Sequence, residues 1–267
     1  MAFILDTIIA HKHRELAIKQ QAFPLAVLQQ IPAFKRTCFS LKQALLRPFS
    51  SGIIAEHKRK SPSKGYFAST RTLEQIVTGY AQHGAAALSI LTDMTFFGGS
   101  GEDLMMARAQ VSIPLLRKDF IIDPYQVYEA KALGADVILL IAECLDKKTI
   151  QSLSALAHEL GLEVLMEVHS REQLDKWCAD VDLIGINNRD LRTFEVDLNR
   201  SFELVQCAPP GTPVIAESGI HDPQIIASLR QAGCKGFLIG ERFMHQPDPV
   251  QAFQSFILQL QQTATHA

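Results

Sequence analysis

From residue 52 onward the chain repeats one unit: a short apolar run rich in β-branched residues, then polar or ionisable residues, then a stretch with helical periodicity. The runs are Gly52–Ala55, Ala86–Leu91, Ile113–Leu116, Asp136–Ile141, Glu163–Val168, Leu183–Ile186, Pro213–Ala216 and Gly236–Ile239, and their starts lie 20 to 34 residues apart. They are apolar at successive positions rather than at every second one, so they fit strands covered on both faces, as in a parallel sheet. Between them, Leu73–His83 carries Leu73, Ile76, Val77 and Tyr80 at helical spacing and stops before Gly84, a C-cap residue. Tyr125–Leu133 follows Asp123-Pro124 and stops at Gly134; Thr149–Leu160 stops at Gly161; Pro223–Ala232 follows Asp222 and stops at Gly233.

Eight strand-then-helix units close most simply into a (β/α)8, or TIM, barrel, an α/β fold. An open doubly wound sheet is the alternative, because strand count alone does not enforce closure. Residues 1–50 do not join the repeat. Leu5–Gln21, Pro24–Gln30 and Ser40–Leu46 read as helices with apolar faces. The expected organisation is therefore an N-terminal helical extension (1–50) packed on a catalytic barrel (51–258), with a frayed polar tail, Gln259–Ala267.

The net charge is −2, with no basic block, which argues against nucleic acid or a membrane surface as partner. The opening MAFILDTIIAHKH lacks a charged leader and carries Asp6 early, so it does not read as a signal peptide. Val137 to Ala142, the longest apolar run of the barrel region, falls far short of the roughly 20 residues that span a bilayer. Five scattered cysteines without a CxxC fit reduced thiols in the cytoplasm. Nothing demands an oligomer, and a monomer is expected.

In a barrel of this kind the C-terminal strand ends share one mouth. The first run is followed by Glu56, Lys58, Arg59, Lys60, Ser61 and Ser63, and the third by Lys118, Asp119 and Phe120. The fifth ends on Glu167 and His169, and the sixth on Asn187, Asn188, Arg189 and Asp190. Glu217, Ser218 and Gly219 follow the seventh, and Gly240 and Glu241 the eighth, whereas the fourth runs out through Leu139 to Ile141 with nothing ionisable before Glu143. One charge in a loop is ordinarily solvated. Yet Glu56, Lys118, Glu167 and Glu217 sit directly at the ends of four apolar strands, where an ionisable group is costly unless it pairs or works.

Ser218-Gly219 and Gly240 stand where such barrels hold phosphate on backbone N–H groups and a following helix N-terminus. KRKSPSKG is expected to be a mobile basic loop suited to phosphate or carboxylate. Gly98-Gly99-Ser100-Gly101 is expected to be a flexible lid. His11 and His13 diverge on a helix, and the remaining histidines are expected at the surface or in loops. No HExxH, Cys/His cluster, GxGxxG, Walker loop or nucleophile elbow is present, so metal, nucleotide and serine-hydrolase chemistry have no support in sequence. The residues alone lead to an acid/base enzyme for a sugar phosphate; a phosphoribosyl-isomerase-like barrel and a non-catalytic binding barrel stay open.

The motifs narrow this. IIAEHKRKSPSKG, LSILTD with FFGGS, PLLRKDFIIDPYQ, GADVILLIA, LMEVHS, IGINNRDLRTFEVD, IAESGI and LIG, in this order from about residue 52 to 245, resemble the indole-3-glycerol phosphate synthase family of tryptophan biosynthesis. The resemblance implies a cofactor-free carboxy-lyase that closes the indole ring of 1-(2-carboxyphenylamino)-1-deoxyribulose 5-phosphate with loss of carbon dioxide and water. It implies Lys118 as general acid and Glu167 as general base, with Lys58 and Glu56 binding the carboxylate and assisting proton transfer. Asn187 and Arg189 would orient the substrate, and Glu217 would bond its hydroxyls. Ser61, Ser218, Gly219, Gly240 and the backbone of Glu241 would hold phosphate. Phe97, Phe120, Leu139, Leu191 and Ile239 would form the apolar pocket for the aromatic ring.

Overall fold

Eight parallel strands form a closed ring in the computed structural model, which describes residues 4–62 and 64–265. They are β1 (Ile53–His57), β2 (Ala87–Leu91), β3 (Leu115–Lys118), β4 (Val137–Ile141), β5 (Glu163–Val168), β6 (Leu183–Asn187), β7 (Val214–Glu217) and β8 (Gly236–Ile239). Each pairs with its sequence neighbour, and β8 returns to β1 with Phe237 beside Ile53, which excludes the open sheet. The third strand lies two residues later than its apolar run. It runs on through Arg117 and Lys118 because both charges find partners, Arg117 with Asp119 and Glu129 and Lys118 with Glu167.

The two-residue period of a strand sorts side chains by face. Ile54, Leu116, Leu165 and Ile215 pack in the barrel interior, whereas Ile53, Leu115, Val164 and Val214 pack outward against the helices. Glu56, Lys118, Glu167 and Glu217, each two residues beyond an interior residue, therefore face inward at the C-terminal ends. Capped helices set the returns: Asp123 accepts from Tyr125 N ahead of helix Pro124–Leu133, and Gly134 ends it in the left-handed conformation.

Helix α1 (Ile4–Ala22) lies across the C-terminal mouth, with Leu5 and Ile8 in the interior cluster and Leu16 packed with Leu28, Tyr125 and Ala132. Helix Leu41–Leu46 closes the opposite end, with Leu45 against Gly236 at the start of β8. The tail expected to fray is instead helical to Thr265: helix Pro249–Thr265 buries Phe253, Phe256, Ile257 and Leu260, an apolar stripe that continues past Gln259. Met1 to Phe3, Ser63, His266 and Ala267 lie outside the described residues. All five cysteines are free thiols, and no helix among the described residues is long and apolar enough to cross a membrane.

A buried charge cluster fastens α1 to the barrel. Lys12, 1% exposed, reaches Asp93 and Asp119 at 3.0 Å each, and Glu15 at 2.9 Å. Arg117 donates to Asp119 at 3.0 Å and to Glu129 at 2.6 Å, and Lys19 meets Glu129 at 3.0 Å. Burial alone would raise the Asp119 carboxyl, but Lys12 and Arg117 outweigh it and hold it below the usual carboxylate range. Its contribution to stability is thus present above the ordinary carboxylate pKa and is lost as pH falls through the depressed value. Lys12→Met leaves Asp93 and Asp119 without that cation and should lower stability by about 3–5 kcal/mol in urea unfolding. Acid unfolding of the variant should begin at a higher pH than in the native chain. Equal urea midpoints and superimposable acid transitions would show that the cluster does not hold α1.

Candidate active site

The strand ends and α1 enclose one cavity, and every residue expected at the site borders it: Glu56, Lys58, Ser61, Phe97, Lys118, Phe120, Leu139, Glu167, Asn187, Arg189, Leu191, Glu217, Ser218, Gly219, Ile239, Gly240 and Glu241. At its floor Lys118 Nζ donates to Glu167 Oε2 at 2.8 Å and lies 3.7 Å from Glu217 Oε2. Asn187 Nδ2 donates to Glu167 Oε1 at 3.1 Å, so both carboxylate oxygens are held. Lys58 Nζ sits 2.9 Å from Glu56 Oε1, whose other oxygen faces Ser89 Oγ at 3.4 Å. Glu217 Oε1 is buried and has no hydrogen-bond partner.

Two glycines make room for these carboxylates. A Cβ on Gly185 would stand 2.2 Å from Glu217 Oε1, and one on Gly240 would stand 2.6 Å from Glu56 Oε1. Only a residue without a side chain lets the acids approach the strands so closely.

The electrostatics follow from burial and neighbours. Burial alone would lower Lys118, but Glu167, Glu217 and Glu56 outweigh it and raise it, so the amine stays charged. Burial alone would raise Glu167, yet the Lys118 charge, with hydrogen bonds from Lys118 and Asn187, holds it below the ordinary range. Glu217 goes the other way. Burial raises it, and the carboxylates of Glu167 and Glu56 add to that against the opposing pull of Lys118.

Phe97, Phe120, Leu139 and Leu191 pack with Leu5 and Ile8 in the interior cluster, forming an apolar wall on one side of the ionisable floor. Ile239 borders the cavity, but its side chain belongs to the outer cluster, and Leu238 is the inward-facing residue of β8. On the opposite side Ser218 and Gly219 adopt successive left-handed conformations, φ 65° and 77°, and Gly240 precedes the short helix Glu241–Met244. Arg189 is tied to the rim, donating to Glu241 Oε2 at 3.0 Å and to the Phe194 carbonyl at 3.2 Å, so the Glu241 carboxylate turns to Arg189. Ser61 is buried in a hairpin of two-residue strands, Lys60–Ser61 and Gly65–Tyr66, within the basic segment.

Two expectations are corrected here. Gly98–Gly101 is a corner between helices rather than a flexible lid: Gly98 ends helix Met94–Phe97, and Ser100 caps helix Gly101–Gln110 in a reciprocal pair with Asp103. Gly99 is wedged against β2, where a Cβ would lie 1.9 Å from the Leu91 carbonyl oxygen. Not all histidines are peripheral either. His57 lies buried on the outward face of β1, pushed down to about 4 by burial and by Arg59, and His169 lies partly buried beside Glu167. Sequence reasoning also missed Ile4, Leu5 and Ile8 as lining residues. Their spacing gives α1 an apolar face, but nothing in that spacing says which surface it covers.

A closed (β/α)8 barrel with a lysine set among carboxylates at its C-terminal strand ends has the architecture of an acid–base barrel enzyme. The chain matches the family model for indole-3-glycerol phosphate synthase over residues 5–256. It is 48% identical to the indole-3-glycerol phosphate synthase of Bacteroides thetaiotaomicron, covering 98% of this chain and 100% of the relative. Against the protein of the same name from Verminephrobacter eiseniae it is 44% identical, covering 92% and 96%. The chain belongs to the indole-3-glycerol phosphate synthase family. Among solved structures, tryptophan synthase subunit alpha from Legionella pneumophila shares the fold, with a TM-score of 0.61 at 13% identity over 85% of this chain and 98% of that one.

Because Glu217 is raised, the folded chain holds its proton at pH values where the unfolded chain has released it. Its contribution to stability therefore falls as pH rises from the ordinary value of 4.5 through the raised one. Glu217→Gln, neutral in both states, should gain stability relative to the native chain as pH rises over that window, read from chemical unfolding at several pH values. Parallel stability curves for the two proteins would contradict a neutral Glu217.

Proposed function

We propose that this chain catalyses the reaction for which its family is named. It closes the indole ring of 1-(2-carboxyphenylamino)-1-deoxyribulose 5-phosphate and releases carbon dioxide and water, as a carboxy-lyase of tryptophan biosynthesis. The observation that carries this reading is the Lys118–Glu167 pair, 2.8 Å apart, at the floor of a cavity walled on one side by Phe97, Phe120, Leu139 and Leu191.

Lys118 is the general acid. Its raised pKa keeps a proton available for the substrate ketone oxygen as the aromatic carbon attacks. The protonated ketone is itself the electron sink, so ring closure calls for no cofactor. Loss of the carboxylate as carbon dioxide then discharges the positive charge left on the ring. Glu167 is the general base of the dehydration that follows: it takes the ring proton while the new hydroxyl leaves as water. Asn187, bonded to Glu167, fixes that base and with Arg189 orients the substrate. Lys58 and Glu56 receive the anthranilate carboxylate and assist proton transfer, and Glu217 bonds the sugar hydroxyls. Ser61, Ser218, Gly219, Gly240 and the Glu241 backbone take the phosphate, and the apolar wall, with Ile239 at its edge, takes the aromatic ring. The partner is this phosphorylated small molecule; with a net charge of −2 and five free thiols, we place the protein in the cytoplasm as a monomer that engages neither nucleic acid nor membrane.

Mixing the protein with the anilino-deoxyribulose phosphate, with no metal or nucleotide added, should generate indole fluorescence. Lys118→Met and Glu167→Gln should each cut kcat by roughly 10²–10⁴-fold, the range of a lost acid or base, with unchanged far-UV circular dichroism. Native turnover in either variant would overturn the assigned roles.

A further inference from the structure

The reaction assigned above has a proton balance that Lys118 and Glu167 cannot close between them. The ketone oxygen gains one proton to become a hydroxyl, and the hydroxyl gains a second to leave as water. One carbon-bound proton passes to Glu167, and the carboxylate departs as carbon dioxide without a proton. Glu167 can hand its proton to Lys118 across their 2.8 Å hydrogen bond, which recycles one of the two. Each turnover still needs one proton from outside, and substrate fills the cavity while it is needed.

His169 has no task in the steps described so far. It lies two residues beyond Glu167, on the same face of the chain and toward the solvent end of the barrel. Its ring is nearly buried, with 10% of the side chain exposed, and Nε2 stands 3.5 Å from Glu167 Oε1. Neither Nδ1 nor Nε2 has a hydrogen-bond partner. A buried imidazole with both nitrogens unpartnered is an unusual expense for a fold, and it points to a transient partner. The ring does not border the substrate cavity, so it stays clear when the cavity is occupied. Its backbone is fixed: His169 N donates to Gln173 Oε1 at 2.7 Å, and Gln173 in turn donates to Glu143.

We propose that His169 is the relay through which the Lys118–Glu167 pair regains a proton from solvent in each turnover. The inference rests on the acid and base roles assigned above. A water molecule reaching Nδ1 gives the ring a proton, and the resulting imidazolium releases the proton on Nε2, the nitrogen 3.5 Å from Glu167 Oε1, to that carboxylate. Glu167 passes it to the Lys118 amine that has just donated one, and His169 returns to the neutral ring. Only N–H and O–H bonds form and break, and one proton moves inward. The groups around the ring suit a short-lived cation. Glu167 on its own strand, Glu143 after β4 and Asp190 after β6 supply negative charge, against Lys118 on β3 and Arg200 after β6. Burial, the largest influence, lowers the ring below its ordinary value, so it rests neutral and ready to accept.

The test is steady-state turnover of His169→Gln, which keeps polar volume but cannot carry a proton inward. The expected result is a kcat lower by about tenfold or more with KM retained, restored in proportion to added imidazole, while the native enzyme is indifferent to imidazole. His169→Asn, assayed in the same way, serves if the glutamine variant does not fold. A native kcat in the variant overturns the relay, and so does a loss that imidazole does not restore, which marks a structural role. Glu167→Gln in the same assay separates the two levels. If it retains turnover, the base assignment fails and takes the relay with it; if it is inactive while His169→Gln is native, the relay alone fails.

Discussion

The chemistry of this barrel depends on how a water-poor strand end accommodates more carboxylates than cations. Lys118 and Lys58 face Glu167, Glu217 and Glu56 in one enclosure, so full ionisation would leave one unmatched negative charge in a medium that screens weakly. The imbalance is relieved at Glu217, where burial and the neighbouring carboxylates favour the neutral acid. Its neutrality leaves Lys118 committed to Glu167, which fixes a charged donor beside a charged acceptor. Barrel closure makes this possible, because it brings the inward ends of β1, β3, β5 and β7 to a single point.

A second, separate charge cluster supports the first from behind. Asp119, next in sequence to Lys118, is gripped by Lys12, Arg117 and Thr92, and its other neighbour Phe120 belongs to the apolar wall. Lys12 also reaches Asp93, the cap of the helix that carries Phe97. One lysine of α1 thus ties together the segments after β2 and β3, while the same helix brings Leu5 and Ile8 to the cavity. Buried ion pairs add little net stability, but they admit very few alternative arrangements. Here they fasten the segments that carry Lys118, Phe120 and Phe97 to one another.

The barrel was legible because parallel strands buried on both faces leave uninterrupted apolar runs, and seven of the eight begin within one residue of where those runs begin. The third did not, since a run of apolar letters ends at Leu116 whereas the strand continues through charges neutralised from elsewhere in the fold. The site was legible for the same reason in reverse: Glu56, Glu167 and Glu217 interrupt apolar patterns at strand ends. What the letters could not disclose was tertiary. Gly98-Gly99-Ser100-Gly101 reads as a hinge by composition, yet Gly99 is small because β2 passes against it. The destination of α1, and with it Ile4, Leu5 and Ile8 at the cavity, depends on partners such as Asp93 and Asp119 far along the chain, which periodicity does not reveal.

That long reach bears on how the protein is made. Helix α1 leaves the ribosome before any strand of the barrel, yet Lys19 waits for Glu129, 110 residues downstream, and the Tyr125 hydroxyl bonds back to the Phe23 carbonyl across 102 residues. Until β2, β3 and helix Pro124–Leu133 have been synthesised, α1 has no acidic partner for Lys12 beyond its own Glu15 and no apolar surface for Leu5, Ile8 and Leu16. At about 5–20 residues per second this leaves the helix unsupported for several seconds in the growing chain. A segment translated before the barrel is therefore among the last to find its place, and the mouth of the barrel is finished by a piece made ahead of every strand around it.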